Sequence, residues 1–440
     1  MIALNITRRF IYLLCFGILL LVIGAMLNIS FSIFIVYNLL CALLLLIDYF
    51  ISPGQEILHI ERRDREELSI YEREAIEFEV YNKGDSIFNI ELIDEVPEFN
   101  FETGNKLMKG FVNPHEKKLF QYFVTPTKRG AYKFGNVHVR YEGKLKLCAK
   151  QFKLDLDKEY KVYPNLKNLR KYRMSITNNR QLKQGEKSLR MLGRGTSFES
   201  LREYVAGDEY RKINWQATAR ENKPIVNQYE PEKNQHVHIF IDTGRPMSYS
   251  VRGYRKLDLA VNTALVLSDI VNQNGDQSAL LIFNTEVSNM LPPGKGAGHR
   301  NQMLEELYHI DYTNQTSNYE EAFYYFKRKE RHRSIVFLFT DFETVEEAEN
   351  MLRTLPVISK NNLVVIMLIR NESLESLAAQ KIKNQQELFD KGVALELLNE
   401  RKKIKNLLNR RGIYCLECEA EKIEVEAINQ YIRIKNKTFM

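Results

Sequence analysis

Two apolar runs in the first fifty residues constrain this chain more than any other feature. FIYLLCFGILLLVIGAML, Phe10 to Leu27, carries no charge; after the short turn NIS a second run, Phe31 to Ile51, is broken only by Asp48 near its end. Each is close to the roughly 20 residues that a helix needs to cross a hydrocarbon core. A cleavable leader is a poor alternative, because the first run is long, no Ala-x-Ala site follows it, and the second begins almost at once. The expectation is a two-helix transmembrane hairpin over residues 1–52. Arg8 and Arg9 precede the first helix, Arg62, Arg63 and Arg65 follow the second, and the connecting turn has no basic residue. Basic flanks stay on the cytoplasmic side, so both ends and the whole remainder of the chain are expected there. Asp48, at a helix end, is expected to reach the interface.

The remaining chain is long enough for two or three domains. Residues 53–170 alternate apolar and polar side chains in short runs such as AIEFEVYN, IFNIELID and KKLFQYFV, separated by turn signals such as KGD, NPHEK and KRG. That pattern predicts an antiparallel β-sandwich, whose edges can accept a partner strand. His59, His115 and His138 are far apart and read as ordinary histidines. A formal charge of +7 spread among 63 basic and 56 acidic residues gives nucleic-acid binding no support. The five cysteines form no disulfide framework, as suits a reducing compartment.

From residue 236 onward strand and helix patterns alternate, which predicts βαβ units around a mainly parallel sheet. The strand HVHIFI ends in Asp242 and SIVFLFT leads into Asp341, so both acids should meet at one sheet edge, where α/β folds hold ligands. Other candidate sites are weaker. The glycine-rich PGKGAGHR (293–300) lacks a phosphate-binding Gly-Lys-Ser/Thr and reads as a flexible loop. Cys415 and Cys418 in CLEC read as core or surface thiols. The basic stretch RKKIKNLLNRR reads as a solvated amphipathic face. No nucleophile and base occur together in a known catalytic motif, so the chain reads as non-enzymatic.

Asp242, Asp341 and the hydroxyls of Thr316 and Ser317 resemble the von Willebrand factor A fold, in which Asp-x-Ser-x-Ser, a Thr and a second Asp hold a divalent ion. That resemblance implies a Rossmann-like domain over 236–440 and a metal set of Asp242, Ser317 and Asp341 for Mg2+ or another divalent cation. The two serine positions are Gly244 and Pro246, leaving Thr243, Thr316 and Ser248 as substitute donors. The alternative is that Asp242 braces its own turn.

Residues 193–232, GRGTSFESLREYVAGDEYRKINWQATARENKPIVNQYEPE, resemble the signature of the domain of unknown function 58 family. Gly195, Thr196, Phe198, Leu201, Arg202, Tyr204, Gly207, Asp208, Arg211, Ile213, Trp215, Ala217, Thr218, Ala219, Arg220, Glu230, Pro231 and Glu232 carry the match. Asn214 and Gln216 depart from it, standing where the family has Asp and Lys. The resemblance implies a chain of mixed all-β and α/β domains at the bacterial inner membrane, working as an adaptor with a MoxR-type AAA+ ATPase on other membrane or envelope proteins. The segment 171–235 is expected to pack on the domain that follows. Within it, Arg202, Tyr204, Asp208, Arg211, Trp215 and Arg220 are candidate partner-binding residues, Trp215 as anchor and the arginines as bidentate donors. The competing reading has Trp215 filling a core and the charges pairing within the chain. A second functional reading is a metal-dependent binding module that needs no ATPase.

Overall fold

The structure is a computed structural model that describes residues 3–26, 30–63, 66–165, 197–205, 208, 210–230, 234–382, 384–411 and 413–438. The chain divides into two compact units, Met1–Asn165 and Leu166–Met440. Arg65, residues 166–196, which include the signature residues Gly195 and Thr196, and the signature residues Gly207, Pro231 and Glu232 lie outside the described residues.

The first unit opens with the strand Ala3–Ile6, followed by the helices Arg8–Met26 and Ser30–Ile51. Tyr37 of the second helix donates to the Leu13 carbonyl of the first. Among the described residues one helix is long and apolar enough to cross a membrane, over Phe34–Ile57. Its side chains Val36, Leu39, Leu43 and Phe50 are exposed, unlike those of a core helix, which suggests membrane association.

Three sheets follow. The largest orders Ala3–Ile6, Cys148–Leu154, Val137–Glu142, Phe88–Asp94 and Met108–Val112, all antiparallel. The second orders Leu58–Arg62, Glu74–Asn82, Lys117–Pro126 and Phe101–Thr103; the third sets Lys158–Tyr163 between Glu67–Ser69 and Gly130–Phe134. Period-two alternation sends Ile76, Phe78 and Val80 from one sheet and Ile90, Leu92, Val137 and Val139 from another into a single core. Ala3–Ile6 is too short to be read from periodicity, yet its pairing from Ala3↔Gln151 to Ile6↔Cys148 ties the start of the first helix to the sheets.

Asp48 corrects the expectation that it reaches the interface. It is buried and accepts from the backbone N–H groups of Leu145 (2.8 Å), Leu147 (2.9 Å) and Cys148 (2.9 Å) and from the Ser52 hydroxyl (3.2 Å). A carboxylate that satisfies three amides is a joint between helix and sheet. Gly143 makes the approach possible, since a Cβ there would lie 2.6 Å from Ser52 Oγ and 2.8 Å from the Asp48 oxygens. Asp48→Ala is expected to cost about 2 kcal/mol, because water reaches some of the freed amides but not all. Thermal unfolding of the detergent-solubilised chain, with an unchanged midpoint, would refute the joint.

In the second unit a six-stranded sheet orders Val287–Gly294, Gln277–Phe283, His236–Asp242, Ser334–Phe339, Leu363–Ile369 and Tyr414–Cys418. All neighbours are parallel except the edge pair with Val287–Gly294. One face packs Val237, Ile239 and Ile241 against the helices Lys256–Gln273, Ala297–His309 and Ile423–Thr438. The other packs Phe240, Leu281 and Val336 against Tyr319–Lys329, Val345–Thr354 and the end of Gln385–Arg410. The strand order reverses beside His236–Asp242, so a crevice forms at its carboxyl end. PGKGAGHR is not a free loop: the edge strand runs through Gly294 and a helix starts at Ala297, with Gly296 at φ +91° making the turn between them.

Candidate functional site

The parallel register brings Asp242 and Asp341 to the same sheet edge, and the loop before Tyr319–Lys329 adds Ser317. Asp242 is fully buried. Its Oδ1 accepts from the Ser317 hydroxyl and from Gly244 N at 2.8 Å; its Oδ2 accepts from Thr340 Oγ1 at 2.6 Å and Tyr319 OH at 3.1 Å. Burial pushes its carboxyl above the usual range, outweighing these four neutral donors.

Asp341 sits beside it with a different neighbourhood. Lys256 Nζ lies 2.5 Å from its Oδ2, Arg401 Nη1 lies 2.9 Å from its Oδ1, and Phe342 N donates to Oδ1 at 2.9 Å. Burial alone would raise this carboxyl, but the charges of Lys256 and Arg401 outweigh it and hold it low. Two adjacent buried acids therefore shift in opposite directions, because one faces cations and the other only dipoles. Arg401 also reaches Glu417 Oε1 at 2.5 Å and the Ile369 carbonyl, closing the sheet's far strands onto the site.

These residues do not fit a divalent ion. A hard cation needs several free oxygens around one point. Here the Asp242 oxygens are taken by four donors within the chain, and an ammonium and a guanidinium hold Asp341. Two of the three substitute donors point elsewhere: Thr243 Oγ1 to the Phe283 carbonyl at 3.2 Å, Ser248 Oγ to the Arg245 carbonyl at 2.7 Å. At Gly244 a Cβ would come 2.1 Å from Ser317 Oγ, so that hydroxyl stands where a side chain at this position would project. Asp242 braces its turn through Gly244 N, as the alternative reading has it. Sequence reading missed Lys256, which opens the first helix after the acid-bearing strand, and Arg401, which it took as part of a solvated face.

The signature segment forms its own hairpin, Ser197–Glu203 with Ile225–Glu230, enclosing the short helix Trp215–Glu221. Asn214 caps that helix, its side chain accepting from Ala217 N at 3.0 Å, so the departure from Asp keeps the capping oxygen. Arg202 grips Asp208 with two bonds of 2.7 and 2.6 Å, and that guanidinium holds the Asp208 carboxyl at about 2. Tyr204 stacks on Tyr210 at 5.9 Å. Arg211 and Arg220 are exposed. Trp215 does not fill a core: it is 71% exposed, with Tyr210 76% exposed, because Ile225 and Val226 take the inner side of the hairpin. Cys415 and Cys418 lie on the last strand, where burial pushes both thiols up to about 12, the opposite of a reactive pair.

Residues 200–387 match the family described as Protein of unknown function DUF58, so a domain of that family is present. The uncharacterized protein Rv1480 of Mycobacterium tuberculosis (strain ATCC 25618 / H37Rv) is 26% identical over 115 residues, 26% of this chain and 36% of that protein. The uncharacterized protein YeaD of Bacillus subtilis (strain 168) is 23% identical over 200 residues, 45% of this chain and 48% of that one. The chain thus spans less than half the length of each of these relatives. Among solved structures, the conserved hypothetical protein BatB from Bacteroides thetaiotaomicron covers 46% of this chain and 100% of its own, at 15% identity and a TM-score of 0.28. That superposition is too loose to transfer fold or function.

Proposed function

We infer that the chain is a membrane-anchored adaptor that acts by binding, and that its partner is a MoxR-type AAA+ ATPase working on other membrane or envelope proteins. The observation that carries the reading is the exposed Trp215, the sole tryptophan, with Tyr210 five residues before it in the chain also exposed, both within the DUF58 match. Large aromatics left in water at one place are the usual anchors of an interface. The arginine best placed to join them, Arg202, is already neutralised by Asp208, so the patch recognises by shape and apolar area more than by charge.

The two helices form a transmembrane hairpin in this reading, with both soluble units in the cytoplasm of a bacterium. Its support is the strand Ala3–Ile6, which pairs with Cys148–Leu154: the chain before the first helix and the chain after the second then lie on one side. The domain after residue 236 is von Willebrand factor A-like in this reading, supported by the strand order and by the paired acids at the crevice. It works there as a rigid binding module whose former ion position is closed by Lys256.

An affinity pull-down of the full chain in detergent, with and without ATP, tests the proposal by mass spectrometry of what co-elutes. A nucleotide-dependent AAA+ ATPase is expected, and Trp215→Ala should reduce its recovery about tenfold or more. Envelope proteins alone, indifferent to ATP, would overturn the ATPase partnership.

A further inference from the structure

The opposite end of the central strand carries a second cluster. His236 and His238 are two apart on one strand and so project to one face. The link between the helix Tyr319–Lys329 and the strand Ser334–Phe339 brings Glu330 and His332 beside them, since His236 pairs in register with Ser334. Glu330 Oε2 lies 3.0 Å from His236 Nδ1 and 3.0 Å from His238 Nε2, and one ligand atom from each of the three residues lies within 4.8 Å of the others. His332 Nδ1 is 3.2 Å from Glu330 Oε1, and its ring centroid is 5.1 Å from that of His236.

We propose that His236, His238 and Glu330 form a binding site for a divalent transition metal, with zinc as the best match to its donors. Two imidazoles and a carboxylate are the ligand types zinc takes, and three protein ligands leave a fourth position for water or for the exposed His332. Tetrahedral zinc sets its ligand atoms about 3.3 Å apart, which follows from bonds of about 2.0–2.1 Å. The two nitrogen–oxygen separations of 3.0 Å are already near that value, and the two histidine nitrogens lie within 4.8 Å, so binding needs side-chain adjustment and no refolding. The carboxylate is aimed by a backbone bond, His332 N to Glu330 Oε1 at 2.7 Å, which leaves Oε2 turned to the imidazoles.

Packing alone does not account for the cluster. His238 is completely buried against the Phe326 ring, and its Nδ1 has no hydrogen-bond partner, so an apolar side chain would cost less there. The cluster stands at the amino end of the strand whose carboxyl end holds Asp242, and it owes nothing to that acid pair.

The test uses the full chain in detergent, purified through a tag without histidine and stripped with a chelator. Cobalt chloride is titrated while the visible d–d absorption of tetrahedral Co2+ is followed, and zinc chloride is then added in competition. One equivalent of cobalt binding at about micromolar concentration and displaced by zinc is the expected result. His236→Ala and the shape-conserving Glu330→Gln should each weaken it about 100-fold or more, with circular dichroism showing both variants folded. Absence of a tetrahedral spectrum, or binding that both variants retain in full, would overturn the site.

Discussion

Replacing Lys256 with methionine is expected to destabilise the second unit by about 3–5 kcal/mol, the cost of breaking a buried ion pair from one side. The ammonium and Asp341 are both buried, so the carboxylate left by the substitution would lie between the sheet and the helix Lys256–Gln273, away from solvent. Arg401 would remain on Asp341, which keeps the loss finite. Removing the acid as well, in Lys256→Met with Asp341→Asn, should recover part of it, because no carboxylate is then stranded and Arg401 loses one partner but keeps Glu417. The pH dependence gives an independent check. Asp341 has a folded pKa below its usual 3.8, so it contributes stability above that value and loses it as pH falls through the depressed one. In Lys256→Met the folded pKa rises, so acid unfolding should begin at higher pH. Denaturant titration of the full chain reads both effects. A variant as stable as the parent, together with magnesium raising the parent's midpoint, would restore Asp341 as a metal ligand.

Residue spacing made one part of this site legible and hid another. Asp242 and Asp341 could be placed together because both end strands of one parallel sheet, and parallel register leaves them no other edge. Their chemistry could not be read the same way. Lys256 and Arg401 reach Asp341 from two different helices, and in sequence each looks like any basic residue on an amphipathic stretch. The first fifty residues repeat the lesson. Hydropathy marks the apolar helix, but Asp48 looks like a helix-end charge until the loop at Leu145 to Cys148 is folded onto it. The core-filling reading of Trp215 failed for a different reason: a lone tryptophan is usually buried, and only the hairpin around it, with Ile225 and Val226 already filling its inner side, turns the ring outward. His236 and His238 carried a signal that went unused, two histidines alternating inside an otherwise apolar strand.

The second large effect belongs to Arg62, which the sequence assigned to the membrane flank and the structure puts inside the sandwich. Its guanidinium makes a bidentate pair with Asp94 at 3.0 and 2.5 Å and donates to the Gly135 carbonyl at 2.8 Å, while Tyr122 OH donates to Asp94 at 2.5 Å. Arg62 and Asp94 belong to different sheets, and their side chains are 3% and 0% exposed. The planar cation also lies over Phe78 at 5.1 Å and Phe134 at 5.8 Å, so it fills space as well as charge. Arg62→Met should cost about 3–5 kcal/mol by stranding Asp94. Arg62→Lys should recover little, because an ammonium cannot make the two-pronged bond or stack on both rings. Chemical denaturation of the full chain, followed by circular dichroism, checks this. Unchanged stability in Arg62→Met would return the residue to the bilayer surface. In the proposed hairpin, Arg8, Arg9 and Arg63 then remain of the described arginines that flank the two helices, so charge reversal at those three, and not at Arg62, should alter which side of the membrane the rest of the chain occupies.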